Sequence, residues 1–423
     1  MPAKLPPAIP PPASTDLRDP ANLRDPFPLF RWLRAEAPVH WNEPLRAWVV
    51  TRYDDALHVL NEPLLFSAER FAKLSPAFAS QRPAVVAVGE VLRHWVVYRD
   101  PPHHTRIRGL LNKTFTPRQL EGMRQRIATL VDGMLDAVAE QGEMDFIRDL
   151  AFPLPATVIA VMMGVPTADI DLIKTWSDQV GAYIGGRQNT GQDNFALASE
   201  GVLAMRDYFR TVVADRKRRP GEDLISLLLG AEEDGNAFGD DEVVANAVLL
   251  MFAGHETTTN LLGNGLYHLL HHPAQLRRLL ADPGLVDSAV EEFLRYDGPV
   301  PGVIKVATAD TTLGGQAIGA GEQVMVMLSA ANRDEAHFAE PETLDVGRAP
   351  NRHLAFAHGI HFCLGAPLAR LEGRIAFGRL LTRCAELHLT ESEPPWRPQI
   401  FLRGLERLPV AFTPVAKAAP AGA

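Results

Sequence analysis

The sequence predicts a mainly α single domain with a minor β region, and three observations carry that prediction. From Thr116 onward apolar residues recur at helical spacing. One uninterrupted helical pattern runs from about Asp241 to His272. Alternation of the kind strands show is confined to short stretches near 47–51 and 303–328. Length alone, 423 residues, would allow two or three domains. No internal repeat or flexible inner linker divides the chain, so residues 21–414 read as one domain, with a flexible arm at 1–20 and a flexible tail at 415–423.

The arm, MPAKLPPAIPPPASTD, is too rich in proline to pack as a regular element. WNEPLRAWVVTRYDDALHVL follows as a short hairpin, with Ala47–Thr51 as a strand and a helix starting at Asp54. LEGMRQRIATLVDGMLDAVAE places Met123, Ile127, Leu130, Met134, Leu135 and Val138 on one helical face. The glycine-rich GAYIGGRQNTGQDN reads as a mobile lid loop. In the long helix Asp240 serves as cap and Pro273 as stop, and at 1.5 Å per residue it spans roughly 45 Å, enough to cross the core. A second strong helix, DSAVEEFLRYD, comes next, then short strands with glycine turns over 303–328. A last loop leads to Cys363. The helix after it has Pro367 in its first turn and Leu368, Leu371, Ile375 and Leu380 on one face.

Composition narrows the function. A net charge of -9 argues against a general nucleic-acid binder, which needs a basic surface to neutralise phosphates. Two cysteines, Cys363 and Cys384, cannot frame a chain this long, so a reducing compartment is expected. The N-terminus lacks the apolar stretch of a secretory signal, and no run of about 18 uncharged apolar residues suggests a membrane span. A cytoplasmic location, without membrane partners, follows as the expectation.

Four segments carry chemistry. In HLAFAHGIHFCLGAPLARLEGRIAFGRLLTRC, Cys363 sits at a helix N-terminus, where free N–H groups and the dipole favour thiolate over thiol. Gly365 removes a side chain where backbone could approach a ligand closely. Two other readings of Cys363 stand beside this one: a small buried hydrophobe, or a zinc site with His353, His358 and His361, although the spacing matches no usual zinc pattern. The CxxCH of covalent c-type haem is absent. In AGHETTTN the residue four after His255 is Thr259, which excludes a zinc-protease motif. Thr257 can bond back to the carbonyl of Ala253 and loosen the helix; a satisfied polar patch or a plain kink is the alternative. Glu292 and Arg295 are an i,i+3 pair of the sort exposed helices often carry. DPPHHTRIR, residues 100–108, could be a solvated helix start.

FAHGIHFCLG resembles the haem-binding signature of the cytochrome P-450 family, and the other three segments are similar to that family's remaining motifs, in the family's order. The resemblance covers nearly everything after the arm. It implies the family fold, with haem b (iron protoporphyrin IX) held between the long helix and the helix after the cysteine loop. It makes Cys363 the axial thiolate, Phe356 the residue packed beside the sulfur and His361 a propionate contact. Ala357 departs from the glycine usual there, and a slightly tighter loop is expected. AGHETTTN resembles the oxygen-binding helix: Ala253 and Gly254 lie over the haem and leave a groove for O2, while Glu256 and Thr257 form the acid–alcohol pair that delivers protons. Glu292, Arg295 and Arg348 become a buried network that holds the haem loop. His104 and Arg108, with Lys305 where relatives have arginine, become propionate contacts. His103 replaces a more usual glutamate without predicted consequence.

By the same resemblance the chain is a monooxygenase that inserts one oxygen atom of O2 into a small to medium hydrophobic substrate, the thiolate favouring O–O cleavage. Leu249, Phe252, Ala253 and Val300 would line the pocket, with segments 66–98, 181–199 and 399–403. A terpenoid, steroid, polyketide or aromatic substrate is equally open. No flavin or iron–sulfur motif is present, so electrons come from a partner, a ferredoxin with an NAD(P)H-dependent reductase. Lys113, Arg370 and Arg374 could dock it, or could be a solvated helix face. Two rivals are a peroxide-driven haem-thiolate enzyme and a non-catalytic haem sensor; Glu256 and Thr257 argue against the first, the Ala253–Gly254 groove against the second.

Overall fold

A computed structural model describes residues 10–70, 83–186, 194–233 and 235–415. The long helix is Asp240–His271. Its cap is Gly239 rather than Asp240: the Glu242 carboxylate accepts from the Gly239 N–H at 3.0 Å, which starts the helix one residue earlier than expected. Pro273 does not merely end it but opens the next helix, Pro273–Ala281. The helix is continuous through Thr257, so the expected loosening there does not break it.

Four helices pack along this axis: Pro153–Met162, Asn194–Arg218, Val286–Asp297 and Ala366–Arg383. Pro117–Val138, started by a Thr116–Gln119 capping box, covers the outer side of Ala366–Arg383. The β region is a five-stranded sheet ordered Val39–Asn42, Ala47–Val50, Gln323–Val326, Val303–Ala307, Phe66–Ser67. Only the pairing of Gln323–Val326 with Ala47–Val50 is parallel within this sheet. The expected 303–328 strand region divides: two strands join this sheet, Thr311–Leu313 and Gln316–Ile318 form a separate hairpin, and Leu328 already belongs to a helix. The first hairpin ends at Val50, and the following helix starts at Tyr53 rather than Asp54.

Residues 1–9 and 416–423, just under half of the expected arm and nearly all of the tail, lie outside the described residues. The part of the arm that is described is anchored. Leu17 is buried with Phe30, Met325 and Ile400, and the Asn42 amide donates to the Thr15 carbonyl at 2.8 Å. The expected lid loop also shifts: Gly181–Ile184 are the last turn of helix Ile170–Ile184, while 187–193 lie outside the described residues, as do 71–82 of the expected pocket segment.

The cysteine loop lies where three apolar cores meet. Cys363 packs against one containing Leu261, Phe293, Phe356 and Phe377. Leu364 packs against a second, with Val248, Leu249 and Phe252, and Ala357 against the sheet core of Val50 and Val324.

Candidate active site

From Val243 to Leu266 the long helix is buried except at Leu250, Ala253, Gly254 and Thr257. Those four fall at i, i+3, i+4 and i+7, one line along the helix, so a hollow opens beside its middle. Cys363, Leu364, Gly365 and Val300 are likewise only half-buried, although Leu364 and Val300 belong to the same apolar core as Ala253. Leu249 and Phe252, the other expected pocket residues, are buried in that core, and Trp95 stacks on Phe252 at 6.4 Å. The structure thus brings the cysteine loop and the four expected pocket residues around one apolar space. Gly254 has a further job: a Cβ there would press on Ile159 at 3.0 Å, so its missing side chain admits the neighbouring helix, and Ala253 is the small residue left for a groove.

The loop is shaped by its own backbone. The Cys363 N–H donates to the Phe356 carbonyl at 3.0 Å, and Gly365 caps the helix Ala366–Arg383 with Pro367 in its first turn. Nothing lies within 4 Å of where a Gly365 Cβ would stand, so a flat group could approach there. Burial pushes the Cys363 thiol up, against the N–H of Gly365, the Arg108 cation, the N–H of Ala366 and Arg370, which pull the other way. The helix N-terminus alone therefore does not make the thiolate expected from the sequence. A metal cation at the sulfur would, because a coordinating thiol is deprotonated outright. Two of the three histidines of the zinc alternative are engaged elsewhere: His353 bonds Glu291 at 3.1 Å, and His358 bonds Asn61 at 2.7 Å.

Four bases cluster together, and one of them, Arg108, acts on the Cys363 sulfur. The rings of His104 and His361 lie 4.4 Å apart, and the Nε2 atom of each is buried without a partner. Burial, then Arg108 and Lys305, hold His104 down to about 4. Burial, then Lys305, His104 and Arg108, hold His361 down to about 2. Lys305, in the strand Val303–Ala307, is pushed down to about 8 by burial. The nearby carboxylate of Asp100 is committed to the Ser67 hydroxyl and the Ala68 N–H. An unpaired buried donor or acceptor costs about 1–3 kcal/mol, so the cluster lacks an anionic partner. Two carboxylates of a flat cofactor lying on Cys363 fit that need, and the donor set matches haem.

On the long helix the Thr257 hydroxyl donates to the Ala253 carbonyl at 2.9 Å, as expected from the sequence. Glu256 is buried, and sequence reading missed both its partners. Arg397 Nη1 donates to Glu256 Oε1 at 2.5 Å, and the Asn260 amide donates to the same oxygen at 3.3 Å.

The family model described as Cytochrome P450 matches residues 202–405. The cytochrome P450 monooxygenase PikC of Streptomyces venezuelae is 40% identical over 397 residues, 92% of this chain and 91% of PikC. A steroid C26-monooxygenase of Mycobacterium tuberculosis is 38% identical over 387 residues, 91% of this chain and 93% of its own. The crystal structure of P450BioI, in complex with an acyl carrier protein carrying hexadec-9Z-enoic acid, superposes with a TM-score of 0.86 at 35% identity, covering 93% of this chain and 99% of the other. The chain belongs to the cytochrome P450 family. It is therefore a haem-containing oxidoreductase, a monooxygenase that uses O2 and a redox partner. Among its described residues no helix is long and apolar enough to cross a membrane.

In this P450 the Glu292–Arg295 pair is fully buried, with Nε to Oε2 at 2.8 Å and Nη2 to Oε1 at 2.7 Å. Arg348 reaches both Glu292 oxygens at 3.1 and 3.2 Å, and Arg295 also donates to the carbonyls of Asn332, Pro341 and Thr343. The sequence did not reveal Asn351, whose amide donates to Glu292 at 3.1 Å. The expected docking charges are already engaged. Arg370 pairs with Glu291 at 2.7 Å and covers the Phe356 ring at 4.6 Å; Arg374 pairs with Asp287 at 3.2 Å; Lys113 donates to the Glu232 carbonyl. Arg370 thus braces the Phe356 ring, a role its place on an apparent surface face concealed.

Proposed function

We propose that this cytochrome P450 inserts one atom of O2 into a bulky, mainly apolar ring compound, a steroid or polyketide, using electrons from a ferredoxin and its NAD(P)H-dependent reductase. The observation that carries the reading is the convergence, on one apolar hollow, of the Cys363 sulfur and four bases without a carboxylate of their own. Cys363 would hold the iron of haem b, with Phe356 beside the sulfur and Gly365 leaving room for the ring. His104, Arg108, Lys305 and His361 would hold the propionates. When bound, the haem supplies reduction and splitting of O2, which no side chain can perform.

The chain's own residues do the rest. Leu249, Phe252, Ala253 and Val300 give substrate an apolar wall that excludes water. Thr257 Oγ1, anchored on the Ala253 carbonyl, can turn to donate a proton into the hollow, and the Glu256 carboxyl can replace it. That acid–alcohol pair, with Glu256 buried and Thr257 facing the hollow, favours the O2-driven reaction over a peroxide-driven one or a sensor. The relatives support the substrate class: besides the steroid C26-monooxygenase, a polyketide-biosynthesis P450 of Bacillus subtilis is 36% identical over 92% of this chain. The decisive experiment is the carbon monoxide spectrum of the reduced protein. A strongly red-shifted Soret band, lost in Cys363→His, is expected; a parent protein without that band overturns the reading. Thr257→Ala should divert electrons into peroxide, and unchanged coupling to product would remove the proton-delivery role.

A further inference from the structure

The long helix runs on well past the hollow. Tyr267 stands ten residues beyond Thr257, roughly 15 Å further along at 1.5 Å per residue. There the end of the helix, the N-terminal helices Pro20–Arg24 and Phe27–Glu36 and the chain over 392–403 enclose a cleft of about 1000 Å³. Small-molecule sites occupy about 300–1,000 Å³, so the cleft is large enough for a multi-ring ligand. Among the described residues its lining shares none with the hollow around Cys363.

The walls are aromatic and cationic. Tyr267 meets Trp396 edge-on at 5.3 Å and lies 4.2 Å from the His271 ring. The Arg403 guanidinium stands 3.9 Å from the centre of the Trp396 ring, and that of Arg333 lies 3.4 Å from Phe27 and 4.0 Å from Tyr296. Trp396 and Arg403 belong to one hairpin, in which the Arg397 N–H donates to the Gly404 carbonyl at 2.9 Å and Trp396 bridges Leu405. Part of this is bracing. Arg403 holds Asp297 at 2.7 Å, and Arg333 holds Glu342 and the Tyr296 carbonyl.

Bracing leaves several groups of the lining unspent. Tyr296 is 9% exposed, yet its hydroxyl has no protein partner among the described residues, and neither have the Tyr267 hydroxyl and the Trp396 indole N–H. Burial raises the pKa of both phenols, which keeps them neutral donors. The carboxylates of the lining, by contrast, are taken: Glu342 by Arg333, exposed Glu393 by Arg24 at 2.5 Å, and Asp25 by the Phe27 N–H at 3.2 Å. Arg31 lines the same cleft, is exposed, and has no carboxylate among the described residues. The unspent charge is therefore positive, and the unspent hydrogen-bonding groups are donors.

We propose that this cleft is a second small-molecule site, for a flat aromatic carboxylate whose rings lie against Tyr267 and Trp396 and whose anion pairs with Arg31. The rings supply most of the affinity, because an exposed arginine–carboxylate pair adds little and mainly orients. The two phenols and the indole N–H donate to carbonyl or hydroxyl oxygens on the ligand.

The test titrates naphthalene-2-carboxylate by calorimetry into the haem-loaded protein, with 4-phenylimidazole saturating the iron so that the hollow is blocked. One-to-one binding is expected, with Kd on the order of 100 µM for a ligand of this size. Naphthalene-2-carboxamide, which lacks the charge, should bind about fivefold more weakly. Decahydronaphthalene-2-carboxylate, which lacks the aromatic faces, should bind about tenfold more weakly. Arg31→Met, at an exposed position that leaves the fold intact, should erase the preference for carboxylate over carboxamide. Trp396→Leu should weaken both naphthalenes about tenfold. Should that variant not fold, the saturated analogue and Arg31→Met decide the matter. No binding, binding that disappears once 4-phenylimidazole is on the iron, a carboxamide held as tightly as the carboxylate, or a preference that survives Arg31→Met overturns the proposal.

Discussion

Ala357 holds a φ of +57° in the cysteine loop, in the left-handed region where an L side chain crowds its own carbonyl. The cost is about 1–2 kcal/mol for a residue with a Cβ. Glycine escapes it but adds freedom to the unfolded chain, which returns about 0.4–1 kcal/mol. The strain wins, so Ala357→Gly should stabilise the protein by roughly 0.5–1 kcal/mol, read as a higher urea midpoint at unchanged slope. The loop is therefore not merely tight, as expected, but strained at Ala357. A midpoint that falls would show the strain to be relieved by the packing of Ala357 on the sheet core. Glu372 is the other residue at odds with its surroundings: it is 1% exposed, neither carboxylate oxygen has a partner, and burial raises its pKa well above the ordinary carboxylate range. The folded chain then keeps a proton that the unfolded chain releases. The neutral acid's contribution is full below the ordinary glutamate pKa and is lost as pH rises toward the folded value. Glu372→Gln should therefore gain on the parent as pH goes from about 5 to about 8, by at most about 1.4 kcal/mol per pH unit. Stability curves that stay parallel across that range would mean Glu372 is ionised in the folded protein.

At the scale of elements, the Glu292–Arg295–Arg348 network ties helix Val286–Asp297 to the segment leading into the cysteine loop. Both members of the central pair are fully buried, so removing one strands the other's charge, at a cost of about 3–5 kcal/mol. Arg295→Met should lower the yield of folded protein and its haem content. Glu292→Leu with Arg295→Met should recover part of the loss, though not the three carbonyl contacts of Arg295. A single variant as stable as the parent, by urea unfolding, would show that the pair only fills space. The spacing of Glu292 and Arg295 alone reads as a pair that exposed helices often carry, and only the family resemblance marked it, with Arg348, as a buried network; the Thr257 back-bond was legible locally, because Ala253 lies one turn earlier on the same helix. The partners of Glu256 were not. Arg397 lies 141 residues away, in a hairpin whose residues alternate in no recognisable pattern. Asn260, Asn264 and His268 do recur at i+4, but a polar line on a helix normally marks its solvated face, and only the structure shows Asn260 and Asn264 buried and His268 half-buried. Arg370 and Arg374 each hold an acid, Glu291 and Asp287, which a charge on a helix face does not announce in the sequence.

Across the whole molecule, the segments around the hollow come from widely separated parts of the chain: His104 and Arg108, the middle of the long helix, Lys305 and the cysteine loop. They also belong to different cores, since Cys363, Leu364 and Ala357 each join a separate one. A group bound at Cys363 and across the four bases would link those cores, and mass action would place its binding free energy in global stability, about 4 kcal/mol at a thousandfold excess over Kd. Without it, crowding among His104, Arg108, Lys305 and His361 goes uncompensated at the loop where residues of all three cores meet. Loss of haem should then do more than lower the unfolding temperature: it should break the cooperativity. Tryptophans report on all three cores, Trp396 on that of Cys363, Trp95 on that of Leu364 and Trp48 on that of Ala357. In the loaded protein, tryptophan fluorescence and far-ultraviolet circular dichroism should trace one coincident thermal transition; after haem extraction the two traces should separate. Coincident traces in both forms would mean that the cores hold one another without the cofactor, and that the bases around Cys363 add affinity for haem but not integrity to the fold.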